Sequence, residues 1–170
     1  MKHVLILVPA LLFGNAAAAA ECDFIRAETI LSEPRPESPD DEYEVLEQQS
    51  GEGGAWSVYN GSGGKPDRIA RDDLGEMGRV SVELAVEAGG TYVIRKTRFY
   101  YSVPIAVSGS RIIRQEADIY RFCNAELVVP PDAIDEAYIK AARAAAAQFF
   151  SAPEVAKTLI AAGLKPPLWK

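Results

Sequence analysis

The sequence predicts an α+β fold, a curved antiparallel β-meander of about six strands with C-terminal helices packed on it. Three observations carry this expectation. From Tyr43 to Asn124, short runs rich in Val, Ile, Tyr and Phe alternate apolar with polar residues and are separated by Gly-, Pro- and Ser-containing turns. Beyond Asp132 the apolar spacing lengthens to the helical period, in an alanine-rich segment. The strand-like runs follow one another through tight turns, so successive hairpins fold into one twisted sheet.

Taken in order, Cys22 to Leu31 reads as a short helix with Phe24, Ile25, Ile30 and Leu31 as its apolar contacts. Residues 33–42 contain three prolines among acidic residues and read as an extended surface linker. Tyr43–Gln48 is a strand turned by the glycines of 51–54, and Ala55–Asn60 is the next. Gly61–Pro66 is a hairpin loop with a return over Asp67–Asp72. Val80, Val82, Leu84 and Val86 alternate with Ser81, Glu83, Ala85 and Glu87, the pattern of a half-buried strand with one solvated face. Gly89 and Gly90 turn the chain into a long strand over Thr91–Val103, and Arg111–Asn124 is the last strand. Asp132 is positioned to cap a helix whose Ile134, Tyr138, Ala141, Ala145 and Phe149 form a stripe against the sheet. Ser151 followed by Glu154 has capping-box spacing for a second helix over Ala152–Ala162, which Gly163 ends.

Residues 1–20 have the three parts of a removable signal peptide: basic Met1–His3, an apolar run Val4–Phe13, and alanines to Ala20. Cleavage after Ala20 is expected, leaving residues 21–170 as a single domain in the periplasm or outside the cell. The apolar run is too short to span ~30 Å of hydrocarbon. Cys22 lies close enough to the cleavage point to suggest a lipoprotein, but Glu21 is a poor residue before a lipidated cysteine. In an oxidising compartment Cys22 and Cys123 are expected to pair, closing a loop of about 100 residues worth up to ~4.7 kcal/mol by chain entropy.

Removing the leader also removes Lys2 and the only histidine, His3, so that 17 basic residues face 24 acidic ones, a net −7. Residues 21–54 carry −9 and the remainder +2, an acidic N-terminal segment on a near-neutral body. Without histidine there is no Ser-His-Asp or Cys-His centre and no HExxH motif. A Ser–Lys dyad is compatible with the composition, but no spacing singles one out. Paired carboxylates for glycoside hydrolysis are the remaining enzymatic option, with Glu76, Glu83, Glu87, Glu116 and Asp118 on or near strands. Such alternating acids ordinarily form a solvated face. No catalytic residue, metal site or cofactor is expected.

Gly61–Lys65 lacks P-loop spacing and precedes no helix, so it is read as a hairpin turn. Asn60 matches a glycosylation acceptor, relevant only outside bacteria. Asp40, Asp41 and Glu42 have no glycine turn or spaced ligands for calcium, and are read instead as an acidic surface able to steer a basic protein. The strand Arg95, Lys96, Thr97, Arg98, Phe99, Tyr100, Tyr101 interleaves cations and aromatics, a surface suited to anionic sugars, headgroups or bases. The net negative charge and the exported setting argue against nucleic acid. The binding candidates are therefore Arg95, Lys96, Arg98, Tyr100 and Tyr101, with Asp40, Asp41 and Glu42.

Four segments, Ala55–Tyr59, Arg68-Ile69, Leu74–Gly78 and Tyr101–Ile105, give the chain a resemblance over about fifty residues. It resembles a loose group of small exported bacterial proteins of unknown function with Gly-Glu-x-Gly and Tyr-x-x-Pro-Ile segments. The resemblance implies an antiparallel sheet and an envelope location, and no activity. The function expected from all this is a non-enzymatic binding or inhibitor-like module whose partner is another envelope protein. The alternative is a carrier or sensor holding a small apolar or anionic ligand inside the sheet, against Tyr92, Phe99 or Tyr120. No membrane span is expected in the mature chain.

Overall fold

The computed structural model describes residues 22–45, 53–132 and 135–168. The leader and its cleavage point, the turn at 51–52, the end of the strand expected to reach Gln48 and the helix contact Ile134 lie outside them. Helix α1 (Ile25–Ser32) comes first, followed by strands β1 (Asp41–Glu44), β2 (Gly54–Asn60), β3 (Pro66–Gly75), β4 (Gly78–Val86), β5 (Tyr92–Tyr101), β6 (Ile112–Cys123) and β7 (Glu126–Val128). Helices α2 (Glu136–Ser151) and α3 (Pro153–Ala161) complete the chain. The strands form one open antiparallel sheet in sequence order from β1 to β7. This is the α+β meander with C-terminal helices, with one strand more than the six expected.

The added strand, β7, follows a two-residue turn in which Asn124 and Ala125 both take positive φ, 51° and 68°. That geometry matches the right-handed twist of a hairpin, but Asn-Ala is not a recognisable hairpin sequence. The strand was therefore illegible locally.

Helices α2 and α3 cover one face of the sheet. Trp56, Val58, Ile69, Val82, Leu84, Tyr92, Ile94, Tyr120 and Phe122 pack there against Ala142, Ala145, Ala146, Phe149, Val155 and Leu159. The alanines let α2 approach closely, and Phe149 meets Trp56 edge-on at 5.2 Å between ring centroids. The cap of α2 is Asp135, not Asp132; its carboxylate accepts from the Tyr138 N–H. The expected capping box at Ser151 does not form, because Ser151 is the last residue of α2 and Ala152 is the N-cap of α3, directly ahead of Pro153. Proline at the first helical position loses no hydrogen bond, which allows this abrupt corner. At the other end of α3 Gly163, at φ 89°, makes a Schellman closure: its N–H bonds Ile160 O and the Leu164 N–H bonds Leu159 O.

Helix α1 covers part of the opposite face, where Ala27 and Leu31 pack on Ala85 and Val93. Ile25, an expected contact, is exposed instead. The Cys22–Cys123 disulfide joins the residue ahead of α1 to the end of β6, with Cα atoms 5.8 Å apart.

Candidate functional site

Side chains alternate across a strand, and both helical layers stop short of the same end of the sheet. On β5 the apolar Tyr92, Val93 and Ile94 lie beneath the helices, and the charged run from Arg95 onward extends beyond them. Strand β6 changes in the matching place: Ile112–Ala117 are exposed, whereas Tyr120 and Phe122 are buried. The distal half of the sheet is therefore clothed mainly by its own polar side chains.

The candidate residues of β5 divide between its two faces. Lys96, Arg98 and Tyr100 lie on the face that α2 and α3 cover further along, opposite Asp118, Glu116 and Arg114 of β6. Arg98 pairs with Asp118 at 3.1 Å and with Glu116 at 3.8 Å. The Tyr100 hydroxyl donates to Glu116 at 3.1 Å, and the Arg114 guanidinium lies 3.9 Å above the Tyr100 ring while pairing with Glu116. These pairs are exposed and worth little to stability, but they set one cation, Arg114, and then two acids, Glu116 and Asp118, along this face of β6.

Arg95 points to the other face, beside Thr97, Phe99 and Glu83. Glu83 was expected on a solvated face, yet it is only 4% exposed. The reason is tertiary: α1 and the segment after it fold over this part of the sheet. Arg95 approaches Glu83 to 2.9 Å, Arg35 to 3.3 Å and Arg68 to 3.6 Å. Arg35 also pairs with Asp72 at 2.5 Å and donates to the Ser81 hydroxyl. Burial lowers the affinity of the Arg35 guanidinium for its proton, but the Asp72 hydrogen bond and the Glu83 and Asp72 charges outweigh it and raise the pKa. Arg68, which donates to the Ile30 and Glu33 carbonyls, shifts down through burial, Glu83 partly opposing. A cavity of about 440 Å³ adjoins this cluster and is lined in part by Arg35, Arg79, Ser81, Glu83, Arg95 and Thr97. Arg79 closes one side by stacking on Phe99 at 4.4 Å.

The acidic candidates sit at the far edge of the sheet, in and beside β1, and do not meet the basic ones. Asp41 and Glu42 belong to β1, paired opposite Val58 and Ser57, so the strand begins inside the expected linker. Asp40 anchors the edge: its carboxylate accepts from the Asn60 N–H at 2.7 Å and its own N–H donates to Val58 O at 2.8 Å. Among the described residues no group of three or more His, Cys, Asp or Glu could hold a metal ion.

Two features were missed by reading strands alone. The β3–β4 turn and the segment after β5 join at the tip of the sheet, where the Tyr101 N–H bonds Met77 O and the Ile105 N–H bonds Glu76 O. Leu74, Met77, Ile105 and Val107 are each about half exposed there, with Met77 and Ile105 both at 53%. The signal was present as apolar residues inside glycine-bounded turns, where solubility favours polar ones. Gly78 is required at this junction because a Cβ would lie 2.4 Å from Phe99 O. The second feature is the outer edge of β6. β7 pairs only with Arg121–Cys123, leaving Ile112–Asp118 without a neighbouring strand among the described residues.

Tyr92 and Tyr120, expected around a ligand, are packed in the core, where Tyr92 stacks on Phe122 with centroids 4.7 Å apart. Among the described residues no helix is long and apolar enough to cross a membrane. Compared with known protein families, curated proteins and solved structures, the chain has no significant match.

Proposed function

We propose that this chain is a non-enzymatic binding module of an exported protein, and that it docks a partner protein of the cell envelope through the tip of the sheet. The observation that carries the reading is the set of exposed apolar residues at the tip, Leu74 at the end of β3, Met77 in the β3–β4 turn, and Ile105 and Val107 after β5, where turn and segment are tied together by main-chain hydrogen bonds. Exposed apolar residues on a small domain, with Arg79 and Arg98 lining the same hollow as Leu74 and Met77, have the composition of a contact surface. Export rests on the leader-like residues 1–20, and the Cys22–Cys123 disulfide suits an oxidising compartment.

The test is photo-crosslinking in cells, with a photoreactive side chain at Met77 or, as control, at the exposed Lys157 on α3. A discrete adduct from position 77 alone, lost when Ile105→Asp and Val107→Asp are added, supports the reading. Equal labelling from 77 and 157, or an adduct indifferent to the aspartates, refutes it.

A second reading is favoured by the cavity beside Glu83. Arg35, Arg79 and Arg95 with the Ser81 and Thr97 hydroxyls are the donors a small anion would use, so the chain would be a sensor or carrier of an anionic ligand. Titration calorimetry with inorganic phosphate and citrate, against wild type and Arg79→Ala, decides this. Binding lost in the variant supports it, and no heat with either anion ends it.

A further inference from the structure

Among the described residues strand β6 has an open edge, whose polar groups are set in a definite order. In the two-residue β6–β7 hairpin Cys123 and Arg121 turn their main-chain groups towards β7, so by alternation Ile119 does too, and the Tyr138 hydroxyl donates to its carbonyl. Main-chain groups alternate in direction along a strand, so Gln115 and Ala117 also point their N–H and C=O groups outward. The β5–β6 register shifts between Tyr100 and Tyr101, opposite Ile113, so Arg114–Ile119 is the regular part of this edge. Unpaired edges of this kind are templates for another strand. The opposite edge, β1, is only four residues long and three of them are acidic, which discourages pairing there.

We infer that the β6 edge pairs with the β6 edge of a second copy of this chain, antiparallel about a twofold axis at Gln115, so that Arg114 of each copy faces Glu116 of the other. Charge selects both the partner and the register. Hydrogen-bonded residues must pair with hydrogen-bonded residues, so each symmetric register is centred on a residue, and centring on Asp118 places two aspartates together. Centring on Arg114 places two arginines face to face. Centring on Glu116 places two glutamates together, and centring on Ala117 places Glu116 against Asp118. The Glu116 centre also sets Arg114 against Asp118, but the Gln115 centre alone opposes unlike charges, in two equivalent pairs, without a like pair across the axis. Directly opposed like charges are destabilising in antiparallel sheets and unlike ones favourable. The twofold contact is isologous and closed, giving one continuous fourteen-stranded sheet from two sevens. It leaves Met77 and Ile105 outside the pairing, so this inference is independent of the proposed function.

The test is sedimentation velocity of the full disulfide-bonded chain from about 1 µM to 1 mM, a range suited to a small interface. The expected result is a doubling of mass with concentration for wild type. Arg114→Glu and Glu116→Arg should each shift the midpoint at least tenfold towards higher concentration. An equimolar mixture of the two variants should recover a dimer, because each then presents the charges the other needs. Both side chains are exposed, at 59% and 43%, so folding is retained and is checked by circular dichroism. Independently, Gln115→Cys should crosslink at the axis, where paired Cα atoms lie about 5.5 Å apart, within the ~4.4–6.8 Å that a disulfide spans. It should do so at least tenfold faster than Ser108→Cys on an exposed loop. A wild type that stays monomeric throughout, single variants that dimerise as wild type does, or a mixture that does not recover would each overturn the inference.

Discussion

Glu83 lies on the central strand of the sheet with three guanidinium groups within 3.6 Å of its carboxylate. A buried charge held this way contributes less to net stability than its contacts suggest, but removing it leaves its partners uncompensated. Glu83→Gln is therefore expected to lower unfolding stability by about 3–5 kcal/mol, measured as a shift in the denaturant midpoint at constant slope. Tyr92 shows the reverse case. Its hydroxyl is buried with no hydrogen-bond partner among the described residues, and burial alone pushes its pKa up. Tyr120 is pushed up to about 12 from 10.0, by burial first and by the Asp118 charge second. Both phenols bind their protons more tightly folded than unfolded, so their contribution to stability is complete below about pH 10; that of Tyr120 is lost as pH rises through about 12, and that of Tyr92 at still higher pH. Alkaline unfolding should follow tyrosine ionisation at 295 nm. Tyr92→Phe should stabilise the neutral protein by about 1 kcal/mol and weaken that pH dependence. The types of these residues were legible in the sequence. The environment of Glu83 was not, because its partners Arg35 and Arg68 come from other segments.

Helix α1 has eight residues and no side-chain cap bond from Phe24, and a helix that short is not stable alone in water. It is held by contacts to distant strands: Arg121 to Glu28 at 2.6 Å, the Ala27 N–H to the Glu87 carboxylate at 3.2 Å, Arg68 to the carbonyls at its end, and the Cys22–Cys123 disulfide. Reduction of the disulfide, which closes a separation of 101 residues, should cost about 2–5 kcal/mol. Hydrogen exchange should then accelerate first in α1, ahead of Val82, Glu83 and Leu84, which are paired on both sides in the centre of the sheet. Uniform acceleration across the sheet would mean that α1 and the sheet unfold as one unit. The helix itself was readable from 22–31, as were β2 and β4 from their alternation and α2 from its stripe. The errors fall at element ends. Asp132 and Asp135 are equally good caps by residue type, and the structure uses Asp135, whose carboxylate accepts from the Tyr138 N–H. Ser151 has the spacing of a capping box, but α2 runs through it.

For the molecule as a whole, the meander was legible because each strand follows its neighbour through a short turn, so local order and spatial order coincide. The candidate site was legible only in its residue types. Arg95, Lys96, Arg98 and Tyr100 were singled out as one surface, but alternation sends Arg95 to one side and the other three to the opposite side. The acidic group at Asp40–Glu42 lies four strands from β5 and shares no surface with it. What the sequence by itself determined is what depends on neighbours along the chain: strand and helix periods, the turns at Gly61–Lys65 and Gly89-Gly90, the stop at Gly163, and a pair of cysteines free to join. The tertiary structure decided which polar faces meet solvent. Glu83 is buried because α1 and the segment after it return over β4, Glu76 and Ile105 come together because the β3–β4 turn bonds the segment after β5, and among the described residues β6 keeps an open edge because β7 is only three residues long. Each of these depends on where residues far apart in the chain end up, and period and composition carry no information about that.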